Sequence, residues 1–231
     1  MKPYWSEDGI TIYHGDCREI LPSISSVDTI ITDPVWPNSS PHLIGHDRPM
    51  ELLQEALDAA PPTERLILHL GGDSDPRILR AVPEKYKFLQ IGYLRYACPS
   101  RKGRCLYGGD IAYIFGEYPP SSPGLMVISM EYCSTKPKDF SRHIYADNAH
   151  PCPRRLQHVR WLTARWARGI VLDPFAGSGT TLLAAKLNHV PAIGIEIEER
   201  FIEIAIKRLG QKNLDFTETE ESHALQLSTT A

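Results

Sequence analysis

The sequence predicts an α/β protein, a mostly parallel sheet with helices on both faces and an antiparallel hairpin at one edge. Three observations carry that prediction. Ile170, Val171 and Leu172 form a short apolar run of the buried parallel-strand type, and the glycines of Asp173-Pro174-Phe175-Ala176-Gly177-Ser178-Gly179 let the chain turn at once into the helix formers Thr180 to Leu187. Pro191 to Glu196 is a second apolar run, and it ends in an acid, which completes a βαβ unit. Val27 to Thr32 is again a short buried strand, closed by the rigid pair Asp33-Pro34.

The remaining elements follow in chain order. Ile10 to Tyr13 alternates into a strand, and His14-Gly15-Asp16-Cys17 turns into a weak helix over Arg18 to Leu21. From Asn38 to Pro49 the chain has no periodicity and is rich in Pro, Ser, His and Gly, which predicts a long loop; such loops in compact domains are usually functional or disordered. Leu52, Leu53, Ala56, Leu57 and Ala60 stand at helical spacing, so a helix is expected over Glu51 to Ala60, stopped by Pro61-Pro62. Arg65 to Leu70 is a strand and Asp75 to Val82 a short helix. Phe88 to Tyr96 and Asp110 to Gly116 form the edge hairpin, with the basic loop Pro99 to Arg104 hanging between them. Tyr118 to Asn148 breaks the pattern, its only regular stretch being the β-like run Leu125 to Ser129. Leu156 to Arg168 is a helix leading into the glycine turn, and Glu199 to Leu209 has the spacing of a helix packed on the sheet.

At 231 residues with 42% hydrophobic content the chain can bury one substantial core, which predicts a single domain over residues 1–217 and a polar, disordered tail at 218–231. The net charge of −3 does not point to nucleic acid. The basic residues are nonetheless uneven: Arg95, Arg101, Lys102 and Arg104 cluster in one stretch, and Arg154, Arg155, Arg160, Arg165 and Arg168 in another. Local sign is what meets phosphates. The five cysteines show no C-x-x-C pair and no Cys/His ligand spacing, so a reducing cytoplasm is expected, with neither a disulfide framework nor a metal. No apolar run approaches the roughly 20 residues that span a bilayer.

The glycine turn lacks the third glycine of a dinucleotide fingerprint and the lysine of a P-loop. The pattern D-P-F-A-G-S-G-T-T instead resembles the S-adenosylmethionine loop of DNA amino-methyltransferases. The chain order Gly15-Asp16, then Asp33-Pro34-Val35-Trp36, then Phe175-x-Gly177-x-Gly179 is similar to the beta group of that family, in which the catalytic half precedes the cofactor loop. His150-Pro151-Cys152-Pro153-Arg154-Arg155 looks like the family's H-P-x-x-K-P motif, with Arg154 at the lysine position and Arg155 replacing the proline. Val35 departs from the family's D-P-P-Y type of catalytic motif, so the turn keeps the Pro34 carbonyl but loses rigidity.

The resemblance implies a Rossmann-like methyltransferase fold, S-adenosylmethionine as cofactor and double-stranded DNA as partner. It gives Asp33, Pro34 and Trp36 to the target base: the carboxylate and the Pro34 carbonyl accept the two amine hydrogens, and the indole stacks on the ring. The cofactor falls to Asp16, Cys17, Asp173, Phe175, Gly177, Ser178, Gly179, Thr180, Thr181, Glu196, His150 and Arg154, with Glu196 at the ribose and Asp16 on the adenine side. Arg95, Arg101, Lys102 and Arg104 are the candidates for DNA phosphates. Asp at the first catalytic position usually accompanies adenine N6 in the family, and Ser cytosine N4. Cytosine N4 methylation, methylation of RNA or protein, and a catalytically silent nucleic-acid-binding homologue are the alternatives. Residues 118–148, about thirty in all, stand where the family reads DNA sequence; so short a segment implies a short target or relaxed specificity, unless two copies pair as beta-group relatives often do.

Overall fold

A computed structural model describes residues 2–119 and 154–211. The expectations for Leu125 to Ser129, most of the recognition segment, His150 and the tail lie outside them.

Eight strands form one sheet: β1 (Trp5–Glu7), β2 (Ile10–His14), β3 (Thr29–Thr32), β4 (Arg65–Leu70), β5 (Phe88–Lys102), β6 (Cys105–Gly116), β7 (Val171–Asp173) and β8 (Ala192–Glu196). The helices are α1 (Cys17–Ile20), α2 (Pro49–Ala59), α3 (Leu156–Trp166), α4 (Thr180–Leu187) and α5 (Glu199–Leu209), with short 3₁₀ turns at Leu21–Ser23 and Pro76–Ala81. The strand order is β1-β2-β8-β7-β3-β4-β6-β5. Strands β2, β8, β7, β3 and β4 run parallel to their neighbours, while β1 pairs antiparallel at one edge and the β6–β5 hairpin at the other.

Every residue of β3, β4 and β7 is buried. Helices on both faces explain it, because a parallel strand with two covered faces has no solvent side and reads as a continuous apolar run. Val159, Leu162 and Trp166 of α3 join Leu182 of α4 and Ile202 of α5 in one core. Ile20 of α1 with Leu53 and Leu57 of α2 centres the other.

Sequence and structure differ mainly at the edges. The hairpin is longer than expected, so most of the basic stretch Pro99 to Arg104 lies in strand rather than loop. A register shift between Arg95 and Ser100 admits Pro99 there, since an outer strand can carry a residue with no N–H to donate. The turn falls at Gly103, in the left-handed region at φ 58°. The three-residue strand β1 had no pattern long enough to read.

Candidate active site

Strands β2, β3, β7 and β8 all deliver an acid at or just beyond their carboxyl ends: Asp16, Asp33, Asp173 and Glu196. Because β3 pairs directly with β7, the Asp33 turn and the glycine turn stand side by side at the sheet edge where open α/β folds bind ligands. Both open onto a cavity of about 320 Å³. Asp16, Cys17, Asp33, Pro34, Trp36, Phe175, Gly177 and Glu196 line it, together with Ile195, Ile197, Phe201 and the loop residues Leu43 to Gly45. The loop over Asn38 to Pro49 thus forms part of the cavity wall, as its length suggested.

The glycine turn is braced from within. Gly177 and Gly179 take φ of 50° and 76°, and a Cβ on Gly179 would come 2.7 Å from the Cβ of Ala205 in α5, so a larger residue does not fit there. Glu196 accepts hydrogen bonds from the Gly177 N–H at 2.7 Å and the Glu198 N–H at 2.8 Å. Asp173 accepts from the Thr32 hydroxyl at 2.7 Å and the Phe175 N–H at 3.1 Å. Burial pushes the Asp173 and Glu196 carboxyls above their ordinary values, against these hydrogen bonds. Arg208 of α5, itself buried, donates to the Ser178 carbonyl at 2.6 Å, the Ser178 hydroxyl at 3.2 Å and the Thr180 hydroxyl at 3.1 Å.

These contacts divide the expected cofactor residues. Phe175, Gly177, Glu196, Asp16 and Cys17 face the large cavity. Asp173, Ser178, Thr180 and Thr181 instead line a small one of about 60 Å³ behind Asp33. Gly179 caps α4. Arg208 was not singled out in the sequence, although a signal was present: it stands three residues beyond Ala205 and seven beyond Phe201, on the apolar stripe of α5. At the other end, Asp16 caps α1 and pairs with Arg18 at 2.5 Å, whose hydrogen bonds hold its carboxyl below the usual range. Burial pushes the neighbouring Cys17 thiol up to about 12.

The Asp33 turn has a different partner. Arg154 lays its fork across the carboxylate, Nε donating to Oδ2 at 2.6 Å and Nη2 to Oδ1 at 2.7 Å. The same guanidinium lies 4.9 Å from the ring centroid of Trp36. Gly71 makes room for it, since a Cβ there would come 2.6 Å from an Arg154 nitrogen. Burial pushes the Asp33 carboxyl up, and the charge of Arg154 opposes it. Arg154, expected at the cofactor, is therefore found on the residues expected to hold the base, and it does not line the large cavity. The pairing also shows what Asp33 can do: its two oxygens receive two N–H groups from one planar donor above an indole face.

Arg95, Arg101 and Arg104 are exposed on the β5–β6 hairpin, and Lys102 ends β5. Among the described residues one group could hold a metal ion, His69, Asp110 and His158, whose ligand atoms lie within 4.8 Å of one another. The sequence held no signal for it, because 41 and 48 residues separate Asp110 from its two histidine neighbours.

A DNA methylase family model matches residues 132–207. Over 53 residues the chain is 55% identical to the type II methyltransferase M.HindIII of Haemophilus influenzae, and over 41 residues 51% identical to M.ScaI of Streptomyces caespitosus. Those matches cover 22% and 18% of this chain, and they span only 17% and 14% of the two enzymes. YubD of Escherichia coli strain K12 is 27% identical over 222 residues, 87% of this chain and 88% of YubD. The solved structure of the M1.HpyAVI–SAM complex aligns with a TM-score of 0.66 at 21% identity, over 87% of this chain and 100% of that one. The cytosine-N4-specific PvuII DNA methyltransferase aligns at 0.70 and 16% identity, over 92% of this chain and 90% of that one. At those identities the structural matches establish the fold.

Proposed function

From a chain whose motifs, fold and relatives support a beta-group DNA amino-methyltransferase, we propose that it methylates an exocyclic amine of a base flipped out of double-stranded DNA, adenine N6 in particular, using S-adenosylmethionine. The observation that carries this reading is the adjacency of two Asp-Pro turns, Asp33-Pro34 and Asp173-Pro174, on paired strands beside one cavity.

The cavity suits the cofactor in its own terms. Phe175, Ile195, Ile197 and Phe201 give apolar walls for a purine, and the Glu196 carboxylate, bound by one N–H on each oxygen, keeps acceptor capacity for a ribose diol. When bound, the cofactor supplies an electrophilic methyl group on a positively charged sulfur. The chain's own contribution is placement. Asp33 and the Pro34 carbonyl accept the amine hydrogens, which turns the nitrogen lone pair toward the methyl carbon and stabilises the positive charge that grows on the amine. Trp36 holds the base plane, and the exposed arginines of the β5–β6 hairpin face the DNA backbone. For the amine to dock, the Arg154 guanidinium must leave Asp33, and DNA phosphates are the anions that compete for it.

Methyl-labelled cofactor, the purified chain and duplex DNA, followed by mass spectrometry of the nucleosides, test the proposal. Labelled N6-methyladenine is the expected product. Labelled N4-methylcytosine would move the target to the other base, and label in neither would remove DNA methylation altogether. Calorimetry checks the cofactor separately: Gly177→Val should weaken its binding strongly, because branched methyl groups would enter the cavity and φ of 50° disfavours the substituted residue.

A further inference from the structure

We propose that His69 of β4, Asp110 of β6 and His158 of α3 bind a zinc ion, at a site separate from the methyl-transfer cavity. The three side chains are buried, and His69 Nε2 and His158 Nδ1 both point at Asp110 Oδ2, at 3.3 and 3.2 Å. Charge-assisted hydrogen bonds to a carboxylate run shorter, at about 2.7–2.9 Å. Two ligands each about 2.0–2.1 Å from a tetrahedral ion lie about 3.3 Å apart, which is the spacing of Asp110 Oδ2 from each histidine nitrogen; those two nitrogens, within 4.8 Å of each other, close to the same spacing when both bind the ion.

The outer atoms of Asp110 and His158 are held as those of metal ligands usually are. Tyr96 donates its hydroxyl to Asp110 Oδ1, and His158 Nε2 lies 3.3 Å from the Arg95 carbonyl. This second contact narrows the reading. A neutral imidazole carries one N–H, yet His158 faces an acceptor at each nitrogen, so the ring either carries a second proton or places one nitrogen on an ion. An ion on Nδ1 leaves the proton on Nε2, where the carbonyl accepts it.

His69 gives an independent indication. Its Nδ1 is buried without a hydrogen-bond partner, and the residue borders the small cavity it shares with Asp33 and Asp173. Arg154 lines that cavity as well. With Nε2 on a metal, Nδ1 carries the proton and becomes a buried donor, as the free nitrogen of a metal-bound histidine is. Two imidazoles and one carboxylate form a donor set that suits zinc, the described residues leaving a fourth position for water. The ion would tie α3, which leads into the glycine-turn strand, to the edge hairpin.

The test uses the intact chain expressed in zinc-supplemented medium. Elemental analysis should find about one zinc per chain, chelation should lower the melting temperature, and added zinc should restore it. Cobalt(II) added to the chelated chain should give the visible absorption of a tetrahedral N/O site. Asp110→Asn and His158→Gln should each lose the zinc. Because removal of a buried ligand can itself unfold the chain, the chelation and cobalt arms on the unaltered protein stand alone. A chain that purifies without zinc, and whose melting temperature and spectrum ignore zinc and cobalt, overturns the site; zinc retained in both variants places the ion elsewhere and overturns it equally.

Discussion

Asp173 and Asp33 each stand at the end of a buried strand, each is followed by proline, and the two strands are paired, yet the protein holds them in opposite ways. Asp173 is 3% exposed, and its partners are the Thr32 hydroxyl, the Thr181 side chain and the N–H of Phe175, two residues away. The Asp33 side chain is 21% exposed and held by one side chain, Arg154, 121 residues along the chain. A carboxylate tied to neighbouring backbone cannot change partners unless the turn unfolds. One tied to a single guanidinium can exchange it for another planar donor. The difference separates an acid built into its turn from one whose partner can be exchanged.

The largest expected effect breaks the braced half. Arg208→Ala would leave the Ser178 carbonyl and the Ser178 and Thr180 hydroxyls without their buried donor. At about 1–3 kcal/mol for each unsatisfied buried group, the loss is at least about 3 kcal/mol. For a chain of this size that lowers the melting temperature by roughly 6–12 °C. Thermal unfolding reads it directly, and a shift of under about 2 °C would show the glycine turn to be held by something else.

Asp33→Ala should act on the rate instead. The turn keeps its backbone, so cofactor affinity stays near that of the parent, while methyl transfer falls by a factor on the order of a hundred or more; the Arg154 guanidinium, 10% exposed, loses its carboxylate, so stability falls as well. Single-turnover rates set beside calorimetric affinities separate the two. Glu196→Ala is the control, since it removes the acceptor of the Gly177 and Glu198 N–H groups and should cost cofactor binding first. Near-normal transfer in the Asp33 variant would send the amine-binding role to the loop over Asn38 to Pro49.

Arg154→Met sharpens the same contrast through pH. Burial pushes the Asp33 carboxyl up and Arg154 opposes it, so removing the arginine raises that pKa further. The ionised form accepts an amine hydrogen beside the one taken by the Pro34 carbonyl, and the acidic limb of the rate profile should therefore move to higher pH. The stability sign agrees: a carboxyl with a raised folded pKa stabilises the fold at low pH and loses that contribution as pH rises through the folded value. An unmoved acidic limb would mean that Asp33 does not govern the rate.

The same contrast explains what the sequence disclosed. The parallel strands, the glycine turn and α5 were legible because burial on both faces and helical spacing leave periodic marks, and the α5 boundaries Glu199–Leu209 match the expectation. The place of Asp33 and Trp36 beside the cavity was legible because their motif is local. The partner of Asp33 was not, since nothing in the spacing of Arg154 says whether its guanidinium turns to a cofactor or to a carboxylate across the sheet. The His69, Asp110 and His158 cluster was hidden for the same reason, being assembled by β4, β6 and α3 only when the fold closes.

The smallest expected effect is that of Trp36→Ala, and its size depends on what already covers the ring. Stacking of a base on an aromatic side chain is worth about 1–3 kcal/mol, so loss of the indole alone should weaken capture of the flipped base by that amount. In this structure the Arg154 guanidinium lies over the ring, and such a contact is itself worth about 0.5–2 kcal/mol. Removing Trp36 therefore loosens the competitor along with the base, and the net loss should shrink to about 1 kcal/mol, near a fivefold change in affinity. In an Arg154→Met background the competitor is gone, and the Trp36→Ala penalty should return to the full stacking value. Binding of duplexes with the target base mispaired, measured for the two single variants and the double, gives the coupling. A penalty equal in both backgrounds would mean that Arg154 and the base do not share the ring.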